Sequence, residues 1–328
     1  MSLHSRLRFC ILSVLLLAGT AFSVQAQSDR IALVTEIKGT VELAKAGSSS
    51  YAKIDWGTPL FEGDRVRTAA GSEAVVLFSN SNMLTVRAGN TYTVTAGNAA
   101  TSLSGPVRAV DGDLMAAASD LTLHRAGQGE IEVLGGLRSG GDDSAISLTF
   151  PRNSKISSSN PVFSWDSPED FESFTVVVRS DAGEIWSGST EDLTLEYPSD
   201  APVLEAGKNY FWQVKGEDML DVFSSPLVSF EVVSDKEMAQ IEDGKTQISA
   251  LFENQVSNSG QLFMIGSMQV KYGLLGEAIS TFTKISEANP TSPAVHEILG
   301  KLYYEIGLKD EAVIKCSCTF TLTVSVTT

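Results

Sequence analysis

Catalysis needs acidic, basic and nucleophilic side chains that converge, and the residues of this sequence that could supply them are few and scattered. The three histidines are His4, His124 and His296, and no two have metal-ligand spacing, so a zinc or copper site would need ligands from different domains. A lone histidine in such a setting is a surface or packing residue. Cys316 and Cys318 could ligate a soft metal, but no His, Asp or Glu adjoins them. Gly244-Lys245-Thr246 has the ending of a phosphate-binding loop, yet Ala239 stands where such a loop needs Gly, and it reads as a helix interruption. Asp111-Gly112-Asp113 and Asp142-Asp143 lack the alternating oxygen ligands and distal Glu of a calcium loop and read as turns. No serine lies in a Gly-x-Ser-x-Gly elbow. The expectation is a protein that is not an enzyme and carries no cofactor or metal.

Aromatic residues could instead stack on a ligand. Trp165, Trp186 and Trp212 fall at strand positions, where core packing is the simpler reading than a sugar platform. Trp56 lies between Asp55 and Gly57, which suggests a turn and partial exposure.

The elements that position these residues begin after a processing signal. His4, Arg6 and Arg8 precede the apolar run Phe9 to Gly19, and Val24-Gln25-Ala26 supplies a small-x-small cleavage site. Residues 1–26 therefore read as a cleaved secretory signal; the alternative is a retained anchor, for which the apolar run is short of the ~20 residues of a spanning helix. Removing the segment takes away Arg6 and Arg8 and no acid, leaving 22 Lys and Arg against 40 Asp and Glu, a net charge of −18. That balance argues against nucleic acid and anionic membrane as partners, since both require clustered cations. No cysteine occurs between residues 27 and 315, so an exported chain of this kind is held by cores and not by disulfides.

Residues 31–95 are a string of short alternating strands split by Gly, Pro, Asn and Ser turns. In order they hold Gly39-Thr40-Val41, the stretch Trp56 to Leu60, Gly63-Asp64-Arg65-Val66-Arg67-Thr68, Ala74-Val75-Val76-Leu77-Phe78 and Asn80 to Val86. Over about 65 residues this resembles the FecR domain, with Asn82 where the family usually has Gly or Ser. Residues 100–138 continue with weaker strand patterns, which sets the expected FecR-like β domain at 31–138. The Gly-rich polar stretch 139–145 reads as a linker.

Seven alternating runs follow over 146–233, at intervals suited to a β-sandwich. Leu204 to Tyr210, followed by Trp212 and Val214, is similar to the tyrosine corner of fibronectin type III and immunoglobulin-like modules. The resemblance implies that the Tyr210 hydroxyl bonds to backbone near Leu204.

From residue 235 the composition turns helical, with a connecting helix over 235–258. Gly266 and Gly300, Gly273 and Gly307, Glu277 and Glu311, and Ala278 and Ala312 are each 34 residues apart, the tetratricopeptide period. Residues 259–315 are similar to two such repeats, the second incomplete, with Gln269 where an aromatic is usual. Small residues at 266, 278, 300 and 312 would let paired helices approach closely. Stacked repeats offer a groove lined from their first helices, here from Leu262, Gln269, His296 and Tyr303; the alternative is that these are solvent positions of a purely structural array. Beyond Lys315, residues 316–328 are uncharged and rich in β-branched side chains. They are expected to be extended, either as out-of-frame or truncated coding sequence or as an added edge strand.

The fold class expected is thus multidomain and mostly β: a FecR-like β domain, a β-sandwich, then α-helical tetratricopeptide hairpins. The expected function is an exported bacterial envelope scaffold or adaptor, periplasmic or at the cell surface. It would bind protein partners through the repeat groove, with the β modules as spacers or as binders of cell-wall material. A FecR-type envelope signalling component is the alternative, and the absence of room for a spanning helix between the cleavage site and the first domain speaks against it. An unrecognised hydrolase of envelope polymers would need convergent carboxylates, which the sequence does not display. The mature chain is expected to begin at Gln27; N-terminal sequencing of the native protein checks this, and an intact Met1 in a membrane fraction would mean an anchor.

Overall fold

The computed structural model describes residues 30–79, 82–95, 108–109, 146–168, 170–218, 221–252 and 259–325. The residues read as a signal (1–26), His124, Asp111 to Asp113, Asp142-Asp143 and the stretch 139–145 read as a linker lie outside the described residues.

The first β unit holds β1 (Ala32–Lys38), β2 (Val41–Ala44), β3 (Ala52–Lys53), β4 (Pro59–Leu60), β5 (Arg65–Thr68), β6 (Glu73–Phe78), β7 (Asn82–Val86), β8 (Thr91–Thr93) and β9 (Arg108–Ala109). They form two antiparallel sheets, β4-β1-β6-β7-β9 and β3-β2-β5-β8. Between them lie Val34, Val41, Leu43, Leu60, Val66, Val76, Phe78, Leu84 and Tyr92. The Gly63-Asp64 turn owes its aspartate to the backbone: the buried Asp64 carboxylate accepts the N–H groups of Ala46 at 3.1 Å and Phe61 at 3.2 Å and pairs with Lys45 at 3.0 Å. Strand β6 is apolar from Ala74 to Phe78 without alternation, as a strand covered on both faces must be. Val76 and Phe78 face the sandwich interior, whereas Val75 and Leu77, with Leu33 of β1 and Met83 of β7, belong to the same core as the C-terminal helices.

The second unit holds β10 (Ser147–Phe150), β11 (Ser154–Ile156), β12 (Val162–Asp166), β13 (Ser173–Ser180), β14 (Gly183–Thr190), β15 (Thr194–Glu196), β16 (Asn209–Glu217), β17 (Val222–Ser224) and β18 (Val228–Val232). One sheet is β10-β12-β15; the other is β11-β18-β16-β13-β14, with β17 also on β16. Strands β11 and β17 are additional to the seven expected, and β11 runs parallel to β18. Trp165 and Trp212 are fully buried in the core and Trp186 is partly buried against it, stacked on Phe163. The Tyr210 hydroxyl accepts the N–H of Glu205 at 2.8 Å, the corner the sequence implies.

Five helices complete the described chain: α1 (Asp235–Phe252), α2 (Ser259–Lys271), α3 (Leu275–Ala288), α4 (Pro293–Glu305) and α5 (Lys309–Ser325). Ser234 caps α1 in a reciprocal box, its N–H donating to Glu237 Oε2 at 2.9 Å while Glu237 N–H donates to Ser234 Oγ at 3.3 Å. Gly244-Lys245-Thr246 does not interrupt a helix: it lies inside α1, where Lys245 pairs with Glu242 and Thr246 returns its hydroxyl to the Glu242 carbonyl. No described helix is long and apolar enough to cross a membrane.

The stretch after Lys315 also differs from expectation. It is helical through Ser325, not extended. Ala312 and Cys316 pack α5 onto α4, and a Cβ on Gly300 would come within 2.6 Å of the Cys316 sulfur. Tertiary packing of that kind outweighs the modest β preference of Thr and Val. Replacing Tyr210 with Phe deletes one hydrogen bond from the sandwich without changing its core; it is expected to cost about 1 kcal/mol, read as a lowered urea midpoint at unchanged slope.

Candidate functional site

The helices pair as two hairpins of one construction. Tyr272, Gly273, Leu274 and Ala278 donate to the carbonyls of Met268, Val270, Gln269 and Leu274, and thirty-four residues on Ile306, Gly307, Leu308 and Ala312 donate to Leu302, Tyr304, Tyr303 and Leu308. Gly273 and Gly307 have φ of 73° and 87°, a turn geometry that side chains rarely accept. Inside each hairpin a glycine lets the helices meet: a Cβ on Gly266 would come within 2.7 Å of the Phe282 ring, as one on Gly300 would meet Cys316. The two obstructing residues are again 34 apart.

The first helix of each hairpin, α2 and α4, presents a face to the first β unit, and that face is occupied. Trp56 is 2% exposed, where the sequence suggested partial exposure. Its ring meets Phe263 edge-on at 5.6 Å, its Nε1 donates to Thr35 O at 2.8 Å, and its own carbonyl accepts the buried Ser292 hydroxyl at 2.6 Å. Gly57 lies so close to Ala294 that a Cβ would come within 2.3 Å of the alanine methyl. The Glu36 carboxylate accepts the N–H groups of Ser259 at 3.0 Å and Gly260 at 3.3 Å, so an acid of the β unit caps α2. A turn flanked by Asp and Gly thus becomes buried because a second layer covers it.

The four residues expected to line a groove are placed elsewhere. Gln269 is buried and accepts the Thr281 hydroxyl at 2.7 Å, inside its own hairpin. His296 is buried, with Nε2 3.2 Å from Pro290 O and Nδ1 without a partner. Leu262 and Tyr303 are half-buried and pack on the helical core, and burial beside Glu311 raises the Tyr303 hydroxyl pKa above its ordinary value. The face that meets other chain segments is carried by Gly260, Phe263, Ser292 and Ala294. It is continued on α4 by Glu297, Lys301 and the 47% exposed Tyr304. The periodicity identified an amphipathic helix but not which of two buried faces met the partner helix.

The opposite ends of the hairpins rest on the sandwich. Lys155 N–H donates to Gly273 O at 2.8 Å and Ser157 N–H to Glu277 Oε1 at 2.8 Å, while Arg152 Nε and Asn153 Nδ2 both donate to Ile306 O at 3.0 Å. Both hairpin turns are therefore read by β11 and the residues leading into it. Lys155 Nζ also joins Glu231 of β18 at 2.8 Å to Glu237 of α1 at 2.9 Å. Backbone and side-chain bonds from Ser234 and the Lys155 ammonium lower the Glu237 pKa to about 2; Glu231 and Glu237 in turn raise that of Lys155. Among the described residues no group of three His, Cys, Asp or Glu side chains is placed to hold a metal.

No protein-family model matches the chain, and no curated protein matches it in sequence. Among solved structures it is similar to the fibronectin(III)-like modules of CbhA from Clostridium thermocellum, at 14% identity and TM-score 0.20 over 65% of this chain and 82% of that one. A multi-domain immunophilin from Arabidopsis thaliana is similar at 12% identity and TM-score 0.19, over 55% of this chain and 98% of that one. A beta-1,2-glucanase from Parabacteroides distasonis is similar at 10% identity and TM-score 0.21, over 90% of this chain and 59% of that one. At TM-scores this low none of the three carries an argument about this chain.

A depressed carboxylate pKa contributes stability above the unfolded value near 4.5 and loses it as pH falls toward about 2. Glu237→Gln is therefore expected to be less stable than wild type at pH 6, with the difference shrinking to nothing between pH ~4.5 and ~2. Thermal unfolding midpoints of both proteins across that range check it.

Proposed function

We propose that this chain is an exported, non-enzymatic adaptor of the bacterial cell envelope. In this reading the first β unit is of FecR type, the second is a fibronectin-like spacer, and the helical layer is a pair of tetratricopeptide hairpins that holds segments of protein partners. One observation carries it: the faces of α2 and α4 already hold an irregular segment, Asp55 to Thr58, through a ring contact, a hydroxyl bond to a main-chain carbonyl and a close glycine approach. A surface that grips an irregular segment from its own chain has the chemistry to grip one from another.

The partner strip is accordingly the continuation of that face along α4, the half-buried Glu297 and Lys301 and the exposed Tyr304, and not the buried Gln269 and His296. Tyr304 is the anchor, an exposed aromatic one turn beyond Lys301, whose charge can fix register. The basic and apolar N-terminal segment with its small-x-small site supports an envelope location, and the net charge of −18 from Gln27 onward speaks against nucleic-acid partners.

The test is a quantitative capture from envelope extract by the full mature chain, repeated with Tyr304→Ala combined with Lys301→Glu, and with Lys284→Glu on the exposed side of α3. A partner held by the strip should be weakened by about 1–3 kcal/mol in the first variant and be retained by the second. Equal loss from both, or from neither, would reject the strip.

A further inference from the structure

A separate surface lies on the sandwich and does not depend on the helical layer. On one side the two sheets end in β14 and β15, which lie beside each other. Along β14, Trp186 to Thr190 pair residue for residue with Val178 to Phe174 of β13. Val176 stands between Gly188 on one side and Val214 of β16 on the other. Val214 turns its backbone away from β13, accepting the Ser225 N–H at 2.8 Å and donating to Ser225 Oγ at 2.9 Å. Because bonded and non-bonded pairs alternate along an antiparallel ladder, Val176 bonds to Gly188. The N–H and C=O groups of Ser187 and Ser189 are therefore directed out of the sheet, and they have no partner among the described residues.

Exposed edges are ordinarily blocked by Lys, Pro or inward charges, and Gly183–Thr190 contains no Lys and no Pro. The charge around this edge is mostly negative, with Arg179 of β13 set opposite Glu184. Asp181, Glu184, Glu191, Asp192 and Glu196 are exposed and form no ion pair among the described residues, and no Lys or Arg occurs between Arg179 and Lys208. One apolar side chain lies at the same border, Leu193 at 41% exposure, between the end of β14 and the start of β15. A second copy of the chain is a poor occupant, because edge-to-edge pairing would bring the same carboxylates to both sides of the seam.

We propose that the β14 edge takes an extended, Lys- or Arg-bearing segment of another protein as an added strand. Main-chain bonds to Ser187 and Ser189 hold its backbone, the flanking carboxylates take its cations, and Leu193 takes an intervening apolar side chain.

The probe is the capped peptide Lys-Val-Lys-Val-Thr-Val-Lys-Val-Lys, titrated into the full mature chain, with an analogue of equal charge carrying Pro at alternate Val positions. Binding of the first peptide should raise hydrogen-exchange protection at the Ser187 and Ser189 amides. Ser187→Pro removes an outward N–H while leaving the β13 ladder intact and should weaken binding about tenfold. Glu184→Lys with Glu191→Lys, a surface change that keeps the fold should the proline variant not do so, should weaken it by a similar factor and reduce its salt dependence. Equal affinity for the proline analogue, binding without protection at the two serines, or no binding would overturn the proposal. So would a dimer in which those amides are protected without peptide, because the occupant would then be a second copy.

Discussion

The burial of Trp56 between the first β unit and the helices is the contact on which the arrangement of the chain depends. Its ring on Phe263 and Phe263 on Phe282, at centroid distances of 5.6 and 6.3 Å, carry one apolar core from a β-turn through the first helix of a hairpin to the second. Loss of an indole from such a position costs on the order of 3–5 kcal/mol, a large fraction of a domain's stability. Hydrophobic burial alone is non-directional. The direction comes from the polar contacts around it, the Ser292 hydroxyl on the Trp56 carbonyl and the Glu36 carboxylate on the first N–H groups of α2. These fix which turn of which helix meets the sheet.

The helical layer is therefore a shared core and not a free-standing array. Two hairpins bury too little apolar surface to stand alone. Here one long side is closed by Leu33, Val75, Leu77 and Met83 of the first sheet, and the hairpin turns are closed by main-chain and side-chain bonds from the sandwich. Each β unit reads a different feature of the same repeat: the first takes the helix faces, the second takes the turns. That division explains why the repeat geometry stays so regular, since a shift of either hairpin would break bonds to both neighbours.

Much of this was legible in the sequence. The glycines at 266, 273, 300 and 307 gave the hairpins and their period because close approach and positive φ admit few other residues. Tyr210 gave its own hydrogen bond because the corner is local. Two signals were present but unread: the unbroken apolar run Ala74 to Phe78, which requires cover on both faces, and Ser234-Asp-Lys-Glu237, a capping box that starts α1. Other features depend on tertiary context. Gln269 and His296 stand on amphipathic helices with more than one buried face, and helical spacing does not say which face meets the partner helix. Trp56 has the neighbours of an exposed turn until a distant segment covers it. The β-branched stretch after Lys315 is helical because α5 packs on α4, a preference that no local propensity encodes.

Charge shows why the net value was a poor guide to surfaces. Residues 30–95 carry seven Lys and Arg against six Asp and Glu, whereas residues 146–317 carry 12 against 26. Most of the net negative charge is thus carried by the sandwich and the helical layer, where like charges repel across the junction between them. Lys155 is placed at that junction, between Glu231 and Glu237, and its cation offsets repulsion that would otherwise push α1 from β18. At the far edge of the sandwich a run of 28 residues from Ser180 to Gly207 contains no Lys or Arg, and Asp181, Glu184, Glu191, Asp192 and Glu196 form no ion pair among the described residues. One side of the same sheet is electrostatically closed by Lys155, and on the other the carboxylates form no ion pair among the described residues.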